Sequence, residues 1–322
     1  LLADRSRAEL DGTIMIVPEQ YTFETEKAML RLAGPVRGNS IPVYSFTRLA
    51  EAVFRKEGGA VGRRLSDGGR RILMASAVEA CQDRLEVYAA AAKSGRITDV
   101  MLTAVNEMKM CGISAEELLE TSQELGGRGL GKKLSELSLL YDTYDALVAA
   151  SYLDSRDDLT RLAQALETSD FFKGCTVAVD SFEGFTAQEV AVLTRILQRA
   201  DQVIVALCTD GMDRTGTGLF ALVDRTRRRL TAAAEENGVK VQPPVMLTAA
   251  PRFKNENLKL VESQLFCAGE SMTSEDHEGV ILFEARDPYE EAEFTASTIR
   301  RLVMEEGYRY REISIICRSP ER

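Results

Sequence analysis

The chain has 322 residues, 45% of them hydrophobic, and 50 acidic against 40 basic side chains leave a net charge of −10. That is enough apolar material for two or three packed subdomains, and it excludes a disordered chain. The acidic balance disfavours a protein that holds a polyanion over its whole surface, so any nucleic-acid contact has to be local.

Taken in chain order, Thr13-Ile-Met-Ile-Val17 is a short run apolar on both faces, as a central parallel strand would be. Residues 22–32 have helical spacing and Gly34-Pro35 should stop them; residues 41–44 read as a second strand. Through Ser45-Phe46-Thr47 the chain enters a helix over 48–56, closed by Gly58-Gly59. Strand, helix, strand, helix is the grammar of a parallel α/β sheet. From 66 to 150 the strand signals vanish, and amphipathic helices are predicted over 69–92, 97–110, 115–125 and 133–150. A helix over 156–166 and a strand over 176–179 return the chain to the sheet, and a helix over 187–199 and a strand over 202–207 follow. Residues 209–218 read as a loop, and the next helix carries Arg225-Thr-Arg-Arg-Arg229. Prolines 243, 244 and 251 punctuate a weakly patterned stretch to about 279. Beyond it a strand over 280–285, a helix over 288–304 and a strand over 313–317 form the βαβ opening of a second α/β domain. With no initiator methionine and a stop just past that strand, the chain is expected to be a fragment.

No apolar run reaches the roughly 18 residues of a membrane span, and residues 1–10 mix charges too freely for a signal peptide, so the expected location is the cytoplasm. The six cysteines are tens of residues apart with no Cys-x-x-Cys pair, which reads as buried free thiols rather than a metal site. The one histidine, His277, lies in the polar linker Ser274-Glu-Asp-His-Glu-Gly279 and offers no triad. The pairs Arg63-Arg64, Arg70-Arg71 and Lys132-Lys133 and the cluster 225–229 read first as solvated faces, with a local phosphate contact as the alternative. Gly126-Gly-Arg-Gly-Leu-Gly131-Lys132-Lys133 nearly spells a phosphate-binding loop. Lys133 stands where a hydroxyl should ligate Mg²⁺, and a helix rather than a strand precedes it, so it reads as a helix-to-helix turn.

The order of four motifs carries a resemblance. Val17-Pro-Glu-Gln-Tyr-Thr-Phe23, Val43-Tyr-Ser-Phe-Thr-Arg-Leu49, Tyr152-Leu-Asp-Ser-Arg-Asp-Asp-Leu159 and Val179-Asp-Ser-Phe-Glu-Gly-Phe-Thr186 resemble the first motor domain of a UvrD-type superfamily 1 helicase. The Val-Pro-Glu-Gln and Asp-x-Phe-x-x-Phe-Thr forms are narrower and resemble the AddB (RexB) family, the second subunit of bacterial AddAB helicase-nucleases. Ala285-Arg-Asp-Pro-Tyr-Glu-Glu-Ala-Glu-Phe294 and Ile315-Ile-Cys-Arg-Ser-Pro320 are similar to the opening and fourth motif of the second motor domain.

The resemblance implies an α/β, P-loop NTPase-like motor domain in two parts, 1–65 and 151–278. A helical subdomain over 66–150 is inserted in it, and a second α/β domain starts at 279. It implies single-stranded DNA contacts at Gln20, Tyr21 and Thr22 and at Ser45, Phe46 and Thr47. Loop hydroxyls bond phosphates and aromatics stack on bases; equally, Thr22 and Ser45 serve as helix caps and Phe46 as core. Asp180 matches the Mg²⁺ aspartate of such motors, and Arg318 the arginine that reaches toward the γ-phosphate.

The departures are informative. Where the catalytic glutamate belongs the chain has Ser181, whose hydroxyl is no carboxylate base at neutral pH. The P-loop would lie upstream of Leu1. The family's iron-sulfur cluster and nuclease belong to a C-terminal region with no match here. The resemblance therefore implies a subunit that guides or scans DNA alongside an AddA-like motor, in break repair and recombination, with Mg²⁺ and ATP as possible ligands and little or no turnover of its own. The competing readings are an active helicase in which Glu183 replaces the lost glutamate, and an α/β interaction module without nucleic acid.

Overall fold

The computed structural model describes residues 12–59, 61–209, 218–247, 253–265, 272–273 and 278–318. Residues 1–10, most of the 209–218 loop, Cys267, His277 and Ser319-Pro320 lie outside them. The chain divides into two compact units, residues 1–243 and 244–322.

Four parallel strands make the sheet of the first unit: β1 (Thr13–Ile16), β2 (Val43–Tyr44), β3 (Thr176–Val179) and β4 (Gln202–Val205), in the order β2-β1-β3-β4. After an opening threonine each, the two short middle strands are apolar because both faces are covered. Ile14, Ile16, Val177 and Val179 point into a core shared with α2 (Phe46–Glu57), α8 (Asp158–Ala165) and α9 (Ala187–Arg199). Met15, Val17 and Ala178 point the other way, among Met29, Ile41 and Val43. The predicted strands over 41–44 and 202–207 are shorter than expected, two and four residues.

The first helix, α1 (Thr22–Gly38), carries Met29 and is interrupted at Gly34-Pro35, where the sequence predicts a stop. Gly34, at φ +80, kinks it, and the turn resumes from Pro35, where a residue without an N–H is tolerated. Helix α9 spans the predicted residues, and it begins there because Thr186 and Glu189 form a reciprocal capping box: the Thr186 hydroxyl accepts from the Glu189 N–H, and the Glu189 carboxylate accepts from the Thr186 N–H.

A helical cluster fills the space between 66 and 150: α3 (Asp67–Cys81), α4 (Ala89–Lys93), α5 (Ile97–Cys111), α6 (Ala115–Glu124) and α7 (Leu130–Ala149). Its own core centres on Met74, Val105, Leu140 and Tyr144, all fully buried. The continuous helix expected over 69–92 breaks at 82–88. The backbone N–H groups of Glu86, Val87 and Tyr88 donate instead to the buried Glu136 carboxylate of α7, at 2.9, 2.8 and 3.0 Å. A distant side chain has taken amides that a helix would have used.

The chain leaves and re-enters the sheet region side by side, stitched by a parallel bridge between Arg64 and Leu153. Around that neck the three aspartates of the Tyr152–Leu159 motif each meet a cation. Asp154 takes Arg70 at 2.8 Å, with the Tyr144 hydroxyl donating to its other oxygen at 2.9 Å. Asp157 takes Lys109 at 2.7 Å, and Asp145 takes the same ammonium at 2.8 Å. Asp158 takes Arg64 and Arg161, both at 3.0 Å. Burial drives the Asp145 and Asp157 carboxyls above the usual carboxylate range, with Lys109 opposing. Burial works against the Lys109 ammonium, but its two carboxylates outweigh that and raise it.

The first unit closes with α10 (Ala221–Glu236), packed on α9. The second unit contains α11 (Glu256–Gln264) and α12 (Pro288–Met304); α12 starts where predicted, on an Asp287 cap with proline at the first turn. The strands expected over 280–285 and 313–317 do not form: neither run joins a β-ladder among the described residues. Apolar composition alone does not hold a strand without a paired neighbour, and here Leu282 and Ile316 are 98% and 96% exposed. The expectation of buried thiols is also corrected: Cys81 is buried, Cys175 half-buried, and Cys111, Cys208 and Cys317 are exposed, all free.

Candidate functional site

From β1 the chain crosses one way to β2 and later the other way to β3, so the sheet reverses its winding between β1 and β3. In open parallel sheets of this kind, ligands bind outside the carboxyl ends of the strands at such a reversal. Three loops meet there. The backbone ladder runs into them: Val17 N–H donates to the Tyr44 carbonyl at 2.9 Å, and Asp180 N–H donates to the Ile16 carbonyl at 3.0 Å.

After β1, Glu19–Tyr21 form a 3₁₀ turn ahead of α1. Gln20 and Tyr21 are exposed, whereas Thr22 is buried and its hydroxyl donates to the Glu19 carbonyl at 3.0 Å. After β2, Ser45 is buried and caps α2, its hydroxyl accepting from the Arg48 N–H at 3.2 Å. Phe46 is buried; Thr47 is exposed. Arg48, in the first turn of α2, pairs with Glu19 of the first loop at 3.4 Å and with Glu26 of α1 at 3.3 Å.

After β3, Asp180 is exposed, and one of its carboxylate oxygens accepts from the Ser181 N–H at 2.8 Å. Ser181 sits at φ +67, the left-handed region, and no other non-glycine does so among the described residues. That turn sends Phe182 and Phe185 back under the loop. Phe182 meets the Phe46 ring edge-on at 5.6 Å between centroids, Phe185 meets it at 6.3 Å, and the two lie 4.9 Å from each other. Glu183 is exposed beyond the turn.

The structure therefore brings Gln20, Tyr21, Thr47 and Asp180 to one edge with open side chains, and commits Thr22, Ser45 and Phe46 to caps and core. An amide, a ring and a hydroxyl suit the bases and backbone of a single strand. Phe182 and Phe185, which align the loops, escaped the sequence reading as site residues, although their spacing within Asp-x-Phe-x-x-Phe-Thr was the available signal. Arg318 is exposed in the second unit.

Asp180 fits one part of a nucleotide site: a single exposed carboxylate for a Mg²⁺ completed by phosphate oxygens and water. No phosphate cradle accompanies it among the described residues. Residues 126–129 connect α6 to α7, and a Cβ on Gly131 would stand 2.1 Å from the Gly126 carbonyl oxygen. Close packing of that turn, not a phosphate, explains this glycine. Among the described residues, no group of three or more His, Cys, Asp or Glu side chains is placed to hold a metal ion, and no helix is long and apolar enough to cross a membrane.

A family model described as ADDB, N-terminal, matches residues 3–262. Among curated proteins, the B-type subunit of the ATP-dependent helicase/deoxyribonuclease of Thermoanaerobacter sp. (strain X514) is 34% identical over 314 residues, covering 96% of this chain and 27% of that protein. The proteins of the same name from Clostridium tetani and Clostridium novyi are each 30% identical, over 94% and 96% of the chain and 27% and 28% of their own lengths. The chain thus spans about a quarter of the length of the curated relatives it matches.

Proposed function

The chain belongs to the family described as ADDB, N-terminal, and on that premise we propose that it is the helicase-like N-terminal region of the second subunit of an AddAB-type enzyme, which guides or scans single-stranded DNA without hydrolysing ATP. The name its relatives share, that of the B-type subunit in an ATP-dependent helicase/deoxyribonuclease, supports work alongside an AddA-like motor and nuclease on broken double-stranded DNA during repair and recombination.

The observation that carries the reading is the edge at the β1–β3 reversal. There Gln20, Tyr21 and Thr47 are open to a strand, while the position after the motor-type aspartate Asp180 holds Ser181 in a strained turn. A bound nucleotide would supply phosphates and Mg²⁺, which Asp180 would help to hold. No carboxylate at 181 is present to activate a water. Phe46, Phe182 and Phe185 hold the loops after β2 and β3 together, which supports a preformed surface at that part of the edge. The motor-type fold assignment and the roles of Asp180 and Arg318 are parts of the same proposal.

Steady-state ATP hydrolysis by the full-length protein, with single-stranded DNA present, tests it. Expected are salt-dependent DNA binding and no turnover in the wild type. DNA-stimulated turnover that Asp180→Ala abolishes would overturn the reading and make the protein an active helicase, with Glu183 the first residue to test as base.

A further inference from the structure

We propose that the outer face of α10 is a second phosphate contact, in which Arg225 and Arg229 hold the backbone of a strand passing the edge described above; the inference rests on the DNA-guiding reading. Two observations lead there, one about position and one about charge.

Helix α10 buries Val223, Thr226 and Leu230 against the first unit. Its amino-terminal half abuts the loop that follows Asp180, since a Cβ on Gly184 would lie 3.5 Å from the Thr226 hydroxyl. The helix is thus placed beside the turn carrying Ser181 and Phe182.

Four arginines crowd residues 225–229 of this helix, but they are not equivalent. Asp224, with a buried carboxylate, takes Arg227 through Nε at 3.0 Å and Nη2 at 2.7 Å, and also pairs with Arg228. Arg225 and Arg229 stand one turn apart on the exposed side and have no ion-pair partner among the described residues. Toward the far end the same helix turns acidic at Glu235 and Glu236, so the cationic patch is confined to the half nearest the Asp180 loop. On a chain of net charge −10, two guanidinium forks in one place with no ion-pair partner among the described residues fit a partner with planar anionic oxygens. The exposed Tyr21 ring and Gln20 amide at the sheet's carboxyl edge favour a nucleic-acid strand over an acidic polypeptide.

The test is the salt dependence of oligothymidylate binding by fluorescence anisotropy, for wild type, Arg225→Gln/Arg229→Gln, and Lys93→Gln/Arg96→Gln. The last pair makes the same charge change at exposed residues of the helical cluster, and equal urea midpoints verify that the variants fold. Each phosphate contact contributes about 0.7 to the log–log slope for a single strand, so the α10 variant should lose about 1.4 and the control nothing. Equal slopes for the two variants would overturn this contact and leave the proposed function standing. No salt-dependent binding by the wild type would overturn both. Loss of polyglutamate binding with oligothymidylate binding unchanged would overturn it in favour of an acidic protein partner.

Discussion

Phe46, the first residue of α2, lies edge-to-face with Phe182 of the loop after β3, their ring centroids 5.6 Å apart across the sheet's carboxyl edge. Residues 136 positions apart in the chain thereby set the spacing of the loops that carry Thr47 and Asp180. Edge-to-face rings contribute about 0.5–1.5 kcal/mol beyond the area they bury. A double-mutant cycle with Phe46→Leu and Phe182→Leu, read from urea unfolding, should show a coupling of about 1 kcal/mol. Additive single effects would mean that the rings are neighbours without being coupled.

The Lys109 ammonium is buried and shared by two carboxylates that water still reaches in part. Removing one partner of a buried ion pair costs about 3–5 kcal/mol, and the partial exposure of Asp145 and Asp157 lowers the expected cost of Lys109→Met to about 2–3 kcal/mol. The pH dependence has a definite sign. Burial, the leading cause, already raises both carboxyls in the folded state, and losing Lys109 removes the opposing charge. A raised folded pKa means that the folded state binds more protons, so stability is gained as pH falls through that pKa toward the ordinary value near 4. The deficit of Lys109→Met in urea midpoint should shrink between pH 7 and pH 5; a constant or growing deficit would contradict this.

Ser181 holds φ +67 without being glycine. The left-handed conformation costs an L-residue about 1–2 kcal/mol, and glycine returns ~0.5–1 of that as backbone entropy lost on folding. Ser181→Gly should therefore stabilise by roughly 0.5–1 kcal/mol, whereas Ser181→Ile should destabilise by more than about 1 kcal/mol. Thermal melts of the two variants read this directly, and an unchanged midpoint for both would show that the turn relaxes freely.

Gly131 is the second residue of α7, where helix propensity alone favours alanine by up to about 1 kcal/mol. Packing reverses the sign, because the new Cβ would stand 2.1 Å from the Gly126 oxygen and 2.9 Å from the Ser122 oxygen, both backbone atoms. Gly131→Ala should destabilise by about 1–3 kcal/mol as the α6–α7 turn is displaced. Stabilisation, measured by urea unfolding, would show that the turn accommodates the methyl group.

Several elements were legible because their signals are local. Thr186 and Glu189 stand three apart ahead of an apolar period, so α9 begins where its capping box demands. Asp287-Pro288 does the same for α12. Elsewhere local signals misled. The 69–92 period is genuine, yet Glu136, some 50 positions away, captures the amides of residues 86–88 and breaks the helix. The runs over 280–285 and 313–317 look like strands, but a strand exists only with its ladder partner, and composition carries no record of one.

The candidate site divides along the same line. From residue types and their order, the sequence by itself determined the parallel α/β grammar, the helical cluster between 66 and 150, the family resemblance, and the serine that follows Asp180. These depend on composition, period and short spacings that the chain states locally. Only the tertiary structure decided which site residues are available. Thr22 and Ser45 have their hydroxyls committed to backbone, and Phe46 is sealed under two rings, while Gln20, Tyr21, Thr47 and Asp180 stay open. It also decided which arginines of α10 are neutralised by Asp224. Burial and pairing depend on groups that meet only when distant segments pack, so the chain carries the residues for a surface without stating which of them will face the solvent.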